Sequence, residues 1–319
     1  MFFSVIIPVY NRPQEVEELL ESLTQQSYKN FETLIIEDGS DEKCEHVVEE
    51  YSDRLDISYY YKENSGQGFS RNYGFKRANG DYFIVFDSDC LIPSHYFETV
   101  NKYLKENPLD AYGGPDREHP SFSPVQKAIS YAMTSPFTTG GIRGRKNHAG
   151  TFHPRSFNMG ISREVFEQTG GYRITRMGED LEFSIRIIKH GFTTGLIPEA
   201  YVFHKRRTDL KQFFNQLHFF GRARINISRF HPSEIKFIHT LPALFTLGMV
   251  FFVTLPFWNV PLFKLLLVPF VLLFALIFGH ASLKNKSLSI GLLSAAASFI
   301  QLTAYGIGFM SEWCKKLRE

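Results

Sequence analysis

Two carboxylates one residue apart, Asp87-Ser-Asp89, end the apolar run Tyr82–Phe86. Charged side chains at the mouth of a buried strand are costly unless something compensates them. A divalent cation with a phosphate behind it is one such partner. The alternative is a strand-to-helix turn, with Asp89 or Ser94 capping a helix from about His95. A second acidic pair, Glu179-Asp180, follows Gly178 and opens a stretch with Leu181, Phe183, Ile185, Ile187 and Ile188. A carboxylate there can act as a general base. It can equally sit in the first turn of a helix because acids suit the positive end of the dipole. His204 follows the run Ala200–Phe203. It offers either an imidazole to a metal such as Mn²⁺ or a surface side chain before Lys205-Arg206-Arg207.

The elements that position these residues follow from periodicity. Phe3–Ile7, Phe31–Ile36, Ile57–Tyr61 and Tyr82–Phe86 are short apolar or β-branched runs, which predicts strands. Between them Glu15–Gln25, Cys44–Tyr51 and Phe69–Ala78 read as helices, the first with apolar residues at Val16, Leu19, Leu20 and Leu23. Strands that are apolar throughout, joined by helices, imply a parallel sheet covered on both faces. In such sheets the ligand lies beyond the carboxyl ends of the strands. The four strands end in Tyr10-Asn11, Asp38, Asn64 and Asp87/Asp89, which should converge on one crevice. Further on, Asn158-Met-Gly160 precedes a helix over Ser162–Gln168. It reads either as a sugar pocket or as a strand end before an N-cap serine.

The formal charge of +2 argues against a nucleic-acid partner. The three cysteines, Cys44, Cys90 and Cys314, form no C-x-x-C pair and suggest a reducing compartment. The N-terminal Met-Phe-Phe-Ser-Val-Ile-Ile-Pro lacks the basic start of a signal peptide, so a cytoplasmic catalytic domain is expected.

Ser4-Val-Ile-Ile-Pro-Val-Tyr-Asn11, Ile36-Glu-Asp38-Gly-Ser40, Asn64-x-Gly-x-Gly68-x-x-Arg71-Asn72 and Asp87-Ser-Asp89 together resemble the nucleotide-sugar-binding half of family 2 glycosyltransferases. Gly170-Gly-Tyr172 followed by Gly178-Glu-Asp-Leu181 resembles the catalytic stretch of that family. The resemblance covers roughly residues 1–205 and implies a GT-A fold, a nucleoside-diphosphate sugar donor (a UDP-sugar favoured), a divalent metal (Mg²⁺ or Mn²⁺) and inversion at the anomeric carbon. Carried over by position, Pro8, Tyr10 and Asp38 would line the base pocket, beside Asn11. Arg71 would lie near the base or the diphosphate, and Asp87 and Ser88 would meet the nucleotide. Asp89, with Asp87 and His204, would hold the metal. Asp180 would be the general base, and Asn158, Gly160 and Glu179 would shape the acceptor or sugar pocket.

Beyond residue 205 the composition changes. Lys205–Phe230 mixes cations with aromatics, as an amphipathic segment on an anionic leaflet does. Leu241–Phe257, Leu262–Phe278 and Leu288–Met310 are apolar enough to enter a membrane. The organisation expected is therefore a catalytic domain at 1–205, an interfacial segment at 206–238, a membrane region at 239–311 with two to three spans, and a basic tail at 312–319. Three spans would place Lys284/Lys286 inside and Lys315/Lys316/Arg318 outside, against the positive-inside rule.

The processive synthases of this superfamily carry a Q-x-x-R-W motif, whereas Gln216-Leu-His-Phe-Phe220 lacks its Arg and Trp. The expectation is thus transfer of a single sugar to a membrane-held acceptor, plausibly a polyprenyl-linked glycan, at the inner (cytoplasmic) membrane. A processive synthase and a non-catalytic nucleotide-sugar-binding protein are the alternatives.

Overall fold

The computed structural model describes residues 1–139 and 152–319. The basic run Gly140–His148, which the sequence offers as a lid, an acceptor-phosphate contact or a solvated loop, lies outside the described residues. The chain divides into two compact units, Met1–His119 with Lys146–Lys205, and Pro120–Arg145 with Arg206–Glu319.

In the first unit β1 (Phe3–Val9), β2 (Phe31–Asp38), β3 (Ile57–Lys62) and β4 (Tyr82–Phe86) are joined by α1 (Pro13–Thr24), α2 (Glu45–Tyr51) and α3 (Gln67–Phe75). After β4 come β5 (Cys90–Leu91), α4 (Tyr96–Glu106), β6 (Ala111–Gly113) and β7 (Asp116–Arg117). The chain then leaves for the second unit through α5 (Pro124–Thr134) and α6 (Pro136–Thr139). It returns as β8 (Asn158–Ser162), α7 (Arg163–Thr169), α8 (Glu179–Lys189), β9 (Thr194–Leu196) and β10 (Val202–His204).

The main sheet has seven strands in the order β3-β2-β1-β4-β8-β6-β9. The four strands expected from the sequence run parallel, and β8 runs antiparallel to both β4 and β6. Successive side chains of a strand point to opposite faces. Val5, Ile7, Ile84 and Phe86 accordingly pack under α1, α2 and α4, while Ile6, Phe83 and Val85 pack under α3, α7 and α8. Each fully buried side chain of this size contributes roughly 1.5–3 kcal/mol. A three-stranded sheet, β5-β10-β7, lies beside the main one in the same unit. Neither Asp89 nor Ser94 caps α4. Its N-cap is His95, which makes no side-chain cap bond, so the capping alternative for the acidic pair falls away.

The second unit adds α9 (Leu210–Phe230), α10 (Leu241–Thr254), α11 (Val260–Asn285) and α12 (Leu288–Lys316) to α5 and α6. Asp209 starts α9 by accepting from the Gln212 N–H at 2.8 Å. Ile129, Ala132 and Met133 of α5 pack with Phe213, Leu217, Ala297 and Ala304. That apolar contact explains why α5, which the sequence assigns to the first domain, groups with the C-terminal helices instead. Helices α9 and α12 cross closely enough that a Cβ on Gly308 would lie 2.0 Å from the His218 carbonyl oxygen. Among the described residues, two helices, α11 and α12, are long and apolar enough to cross a membrane. The expected first span forms the 14-residue α10 and then a short 3₁₀ turn, because Pro256 cannot continue the helical ladder.

Candidate functional site

The order of the parallel strands reverses between β1 and β4, and the crevice of such a sheet opens at that point. The loops that flank it are stitched together. Asn11 adopts a left-handed φ of 52°, which its short polar side chain tolerates. Its Oδ1 accepts from the Asp41 and Glu42 N–H groups at 2.9 and 3.1 Å, and its own N–H donates to Ser40 Oγ at 2.8 Å. Arg12 spans the reversal, donating from Nη1 to Asp89 Oδ2 at 2.8 Å. Pro8 is half-buried and Tyr10 exposed beside them.

Asp38 is buried and largely committed to the protein. Its Oδ1 accepts from Lys62 Nζ and from the Ser65 N–H, and its Oδ2 from the Gly66 N–H at 2.8 Å. Burial alone would raise this carboxyl, but the Lys62 and Ser65 bonds outweigh it and hold it below its usual value. An ionised carboxylate has about four acceptor positions. The bonds from Lys62, Ser65 and Gly66, with Ser70 beside them, build the loop that opens α3.

Arg71 on α3 is the hub of the acidic groups. It is 1% exposed, and its Nη2 donates to Asp87 Oδ1 at 2.8 Å while Nη1 lies 3.4 Å from Glu179 Oε1. Gln67 Nε2 also donates to Glu179. Ser88, between the two aspartates, is buried.

The expected helix over Glu179–Lys189 forms, and Met177 (φ 64°) and Gly178 (φ 96°) swing the chain into it. A non-glycine residue in that region is strained, and such strain clusters at functional sites. Asp180 Oδ2 accepts from Arg155 Nε at 2.6 Å, and its Oδ1 from the Leu181 N–H at 2.7 Å. The two adjacent carboxyls are pushed apart. Burial, followed by the Asp180 charge, raises Glu179. Burial also acts to raise Asp180, but the Arg155 ion pair, Arg71 and the Leu181 amide outweigh it and hold it below its usual value. Neighbouring acids driven in opposite directions are how one site keeps one carboxylate ionised beside a protonatable one.

His204 comes to the acidic pair through the small sheet. It is the last residue of β10, paired in register with Cys90 of β5. Its Nε2 lies 3.0 Å from Asp89 Oδ1, and its ring stacks on Phe157 at 5.2 Å. One ligand atom each from Asp89, Cys90 and His204 falls within 4.8 Å of the others. A carboxylate oxygen with an imidazole nitrogen suits Mn²⁺ or Mg²⁺. Burial drives the Cys90 thiol well above its usual value, so it stays protonated there and donates to the Phe157 carbonyl at 3.5 Å. The fit to a hard cation therefore rests on Asp89 and His204. Asp87, expected as a further ligand, is turned to Arg71.

Asn158 and Gly160 lie in a strand that ends at the N-cap Ser162, the second of the two readings the sequence offers for them. Asn158 is fully buried in β8, accepting from Tyr96 Oη at 2.5 Å and donating to the Ala200 carbonyl at 2.8 Å. A Cβ on Gly160 would lie 2.0 Å from the Tyr112 ring, so glycine here makes room for an aromatic neighbour in the core. Conversely, Arg12, Lys62, Gln67 and Arg155 hold the site and were not singled out from the sequence. Arg12 directly follows the Pro-Val-Tyr-Asn11 motif and was readable in principle. Arg155 sits in a segment with no periodicity to mark it.

The mostly parallel sheet with an acidic crevice at its strand reversal defines a GT-A-type glycosyltransferase domain. The chain belongs to glycosyl transferase family 2, whose family model matches residues 4–170. An uncharacterized glycosyltransferase of Haemophilus influenzae is 31% identical over 215 residues, covering 65% of this chain and 70% of that protein. The mannosyltransferase PcManGT from Pyrobaculum calidifontis, solved with GDP-Man and Mn²⁺, is similar in fold at a TM-score of 0.66 and 18% identity, over 93% of this chain and 86% of that one. Staphylococcus aureus TarS 1–349 in complex with UDP-GlcNAc has a TM-score of 0.50 at 16% identity, over 100% and 93% of the two chains. For four other relatives the match covers 15–27% of their length.

Proposed function

We propose that the protein transfers a single sugar, with inversion, from a nucleoside-diphosphate sugar to a membrane-associated acceptor, a polyprenyl-linked glycan being the class that fits. The observation that carries this is the Glu179/Asp180 pair at the start of α8, with Asp180 held by Arg155 Nε at 2.6 Å and Glu179 joined through Arg71 to Asp87. The acceptor oxygen attacks the anomeric carbon as the bond from that carbon to the diphosphate oxygen breaks. Asp180, kept ionised near neutral pH, takes the acceptor hydroxyl proton. Arg71 holds Asp87 and Glu179 in place during that exchange. Asp38 holds the loop beside which the base of the nucleotide would lie, through the Ser65 and Gly66 N–H groups. Asp89 and His204 would hold a Mg²⁺ or Mn²⁺ ion, which when bound neutralises the charge that develops on the leaving diphosphate. The apolar helices of the second unit support an inner-membrane location with the donor site on the cytoplasmic side.

The test is thermal stabilisation of the purified full-length protein by UDP-, GDP- and TDP-sugars with and without Mn²⁺, followed by product analysis with lipid-linked acceptors. Wild-type protein should give a singly glycosylated product. Asp180→Asn should abolish transfer and keep metal-dependent nucleotide binding. Long polymer would make the protein a processive synthase. Nucleotide binding with no turnover under any donor would make it a binding module.

A further inference from the structure

Helix α12 passes the length and hydropathy test for a membrane span, yet its surroundings are unlike those of α11. Only 6% of the apolar stretch of α11 is buried, against 44% for α12. Part of the cover on α12 comes from α10 and α11, through Phe245 and Phe274 on Phe299, and the rest is polar-backed. Helix α9 runs beside its C-terminal half, from the packing of Phe213 and Leu217 on Ala297 and Ala304 to the bonds of Arg222 Nε and Arg229 Nη1 with Glu312 at 3.0 and 3.1 Å. Lys316 Nζ reaches Ser228 Oγ at 2.8 Å, and Arg229 Nη2 meets Glu319 at 2.9 Å. Near the other end, α5 packs on α12 and α11, and Tyr131 Oη lies 2.8 Å from His280 Nδ1. The outward side of α9 carries Lys211, Gln212 and Asn215, all exposed. A helix clad along its length by such neighbours cannot lie across the hydrocarbon without carrying their charges and amides into it.

We propose that α12 lies along the membrane surface rather than across it, and that the lipid-inserted elements are α10 and α11. The partner is the anionic headgroup layer of a bilayer. Charge placement argues for it. Lys284 and Lys286 stand at one end of α12, and Lys315, Lys316 and Arg318 at the other. A surface helix brings both clusters to the headgroups of one leaflet. A crossing helix puts one cluster on each side, against the positive-inside rule. The exposed apolar side chains fit the same placement: Phe257, at the turn between α10 and α11, is 86% exposed and Leu272 of α11 63%. The placement holds whether or not the first unit transfers sugar.

The experiment is labelling of full-length protein in sealed membrane vesicles with a membrane-impermeant maleimide. Three single sites are compared: exposed native Cys314 near the end of α12, Ser289→Cys in its first turn, and Lys211→Cys in the first turn of α9, the last two with Cys314→Ser. All three should label from the same side. The proposal is overturned if Cys314 or Ser289→Cys labels only from the side opposite Lys211→Cys, or only after detergent. It is also overturned if the protein stays in the supernatant as an oligomer when vesicles are sedimented, since a second copy would then cover the apolar helices.

Discussion

Arg71 Nη2 donates to Asp87 Oδ1 at 2.8 Å from a side chain with 1% exposure, joining an α-helix to the end of the central strand. The same guanidinium faces Glu179, which is 108 positions away in the chain. Arg71→Met should leave two acids without their cation. Breaking a buried ion pair by removing one partner costs about 3–5 kcal/mol. Thermal and denaturant unfolding should show a loss of that size. A loss within experimental error would mean that Arg71 does not organise the site.

The Arg155–Asp180 pair sets a pH dependence. A carboxyl held below its usual value contributes stability above the ordinary carboxylate range, and that stability is lost as pH falls through the depressed value. Arg155→Met removes the largest opposing influence and lets burial raise Asp180. The acid limb of kcat/KM should then move to higher pH by about 1–3 units. An unmoved limb, with activity otherwise normal, would exclude Asp180 as the titrating base.

His204 Nε2 lies 3.0 Å from Asp89 Oδ1. His204→Ala should raise the Mn²⁺ concentration required for nucleotide-dependent stabilisation by at least about tenfold, since even outer partners of a metal ligand are worth that much. The Mn²⁺ titration would come out unchanged if the imidazole were only a neighbour stacked on Phe157.

Asn158 offers a contrast between core and pocket. Asn158→Ala leaves the Ala200 carbonyl without its partner and the Tyr96 hydroxyl with Tyr112 alone. Each unsatisfied buried group costs about 1–3 kcal/mol. The melting temperature should fall while the folded fraction keeps the donor KM. A rise in donor KM without loss of stability would return Asn158 to the sugar pocket.

The sequence by itself determined the first four parallel strands, the reversal-point loops and the acidic pairs. Those signals are local: an apolar run, a helical spacing, or a motif whose members lie a few residues apart. The resemblance carried by those motifs matched the family that the chain belongs to. Only the tertiary structure decided which lone pairs and charges remain for a ligand. Asp38 and Asn158 read alike as polar residues at strand ends, yet one holds the loop that opens α3, while the other is consumed in the core. Arg155 reached Asp180, and His204 reached Asp89, through segments folded together from far apart in the chain. Hydropathy likewise made α12 look like α11, because it counts side chains and not what surrounds them. Long-range packing sets the surroundings, and the surroundings set both the charge state of a carboxyl and the solvent of a helix.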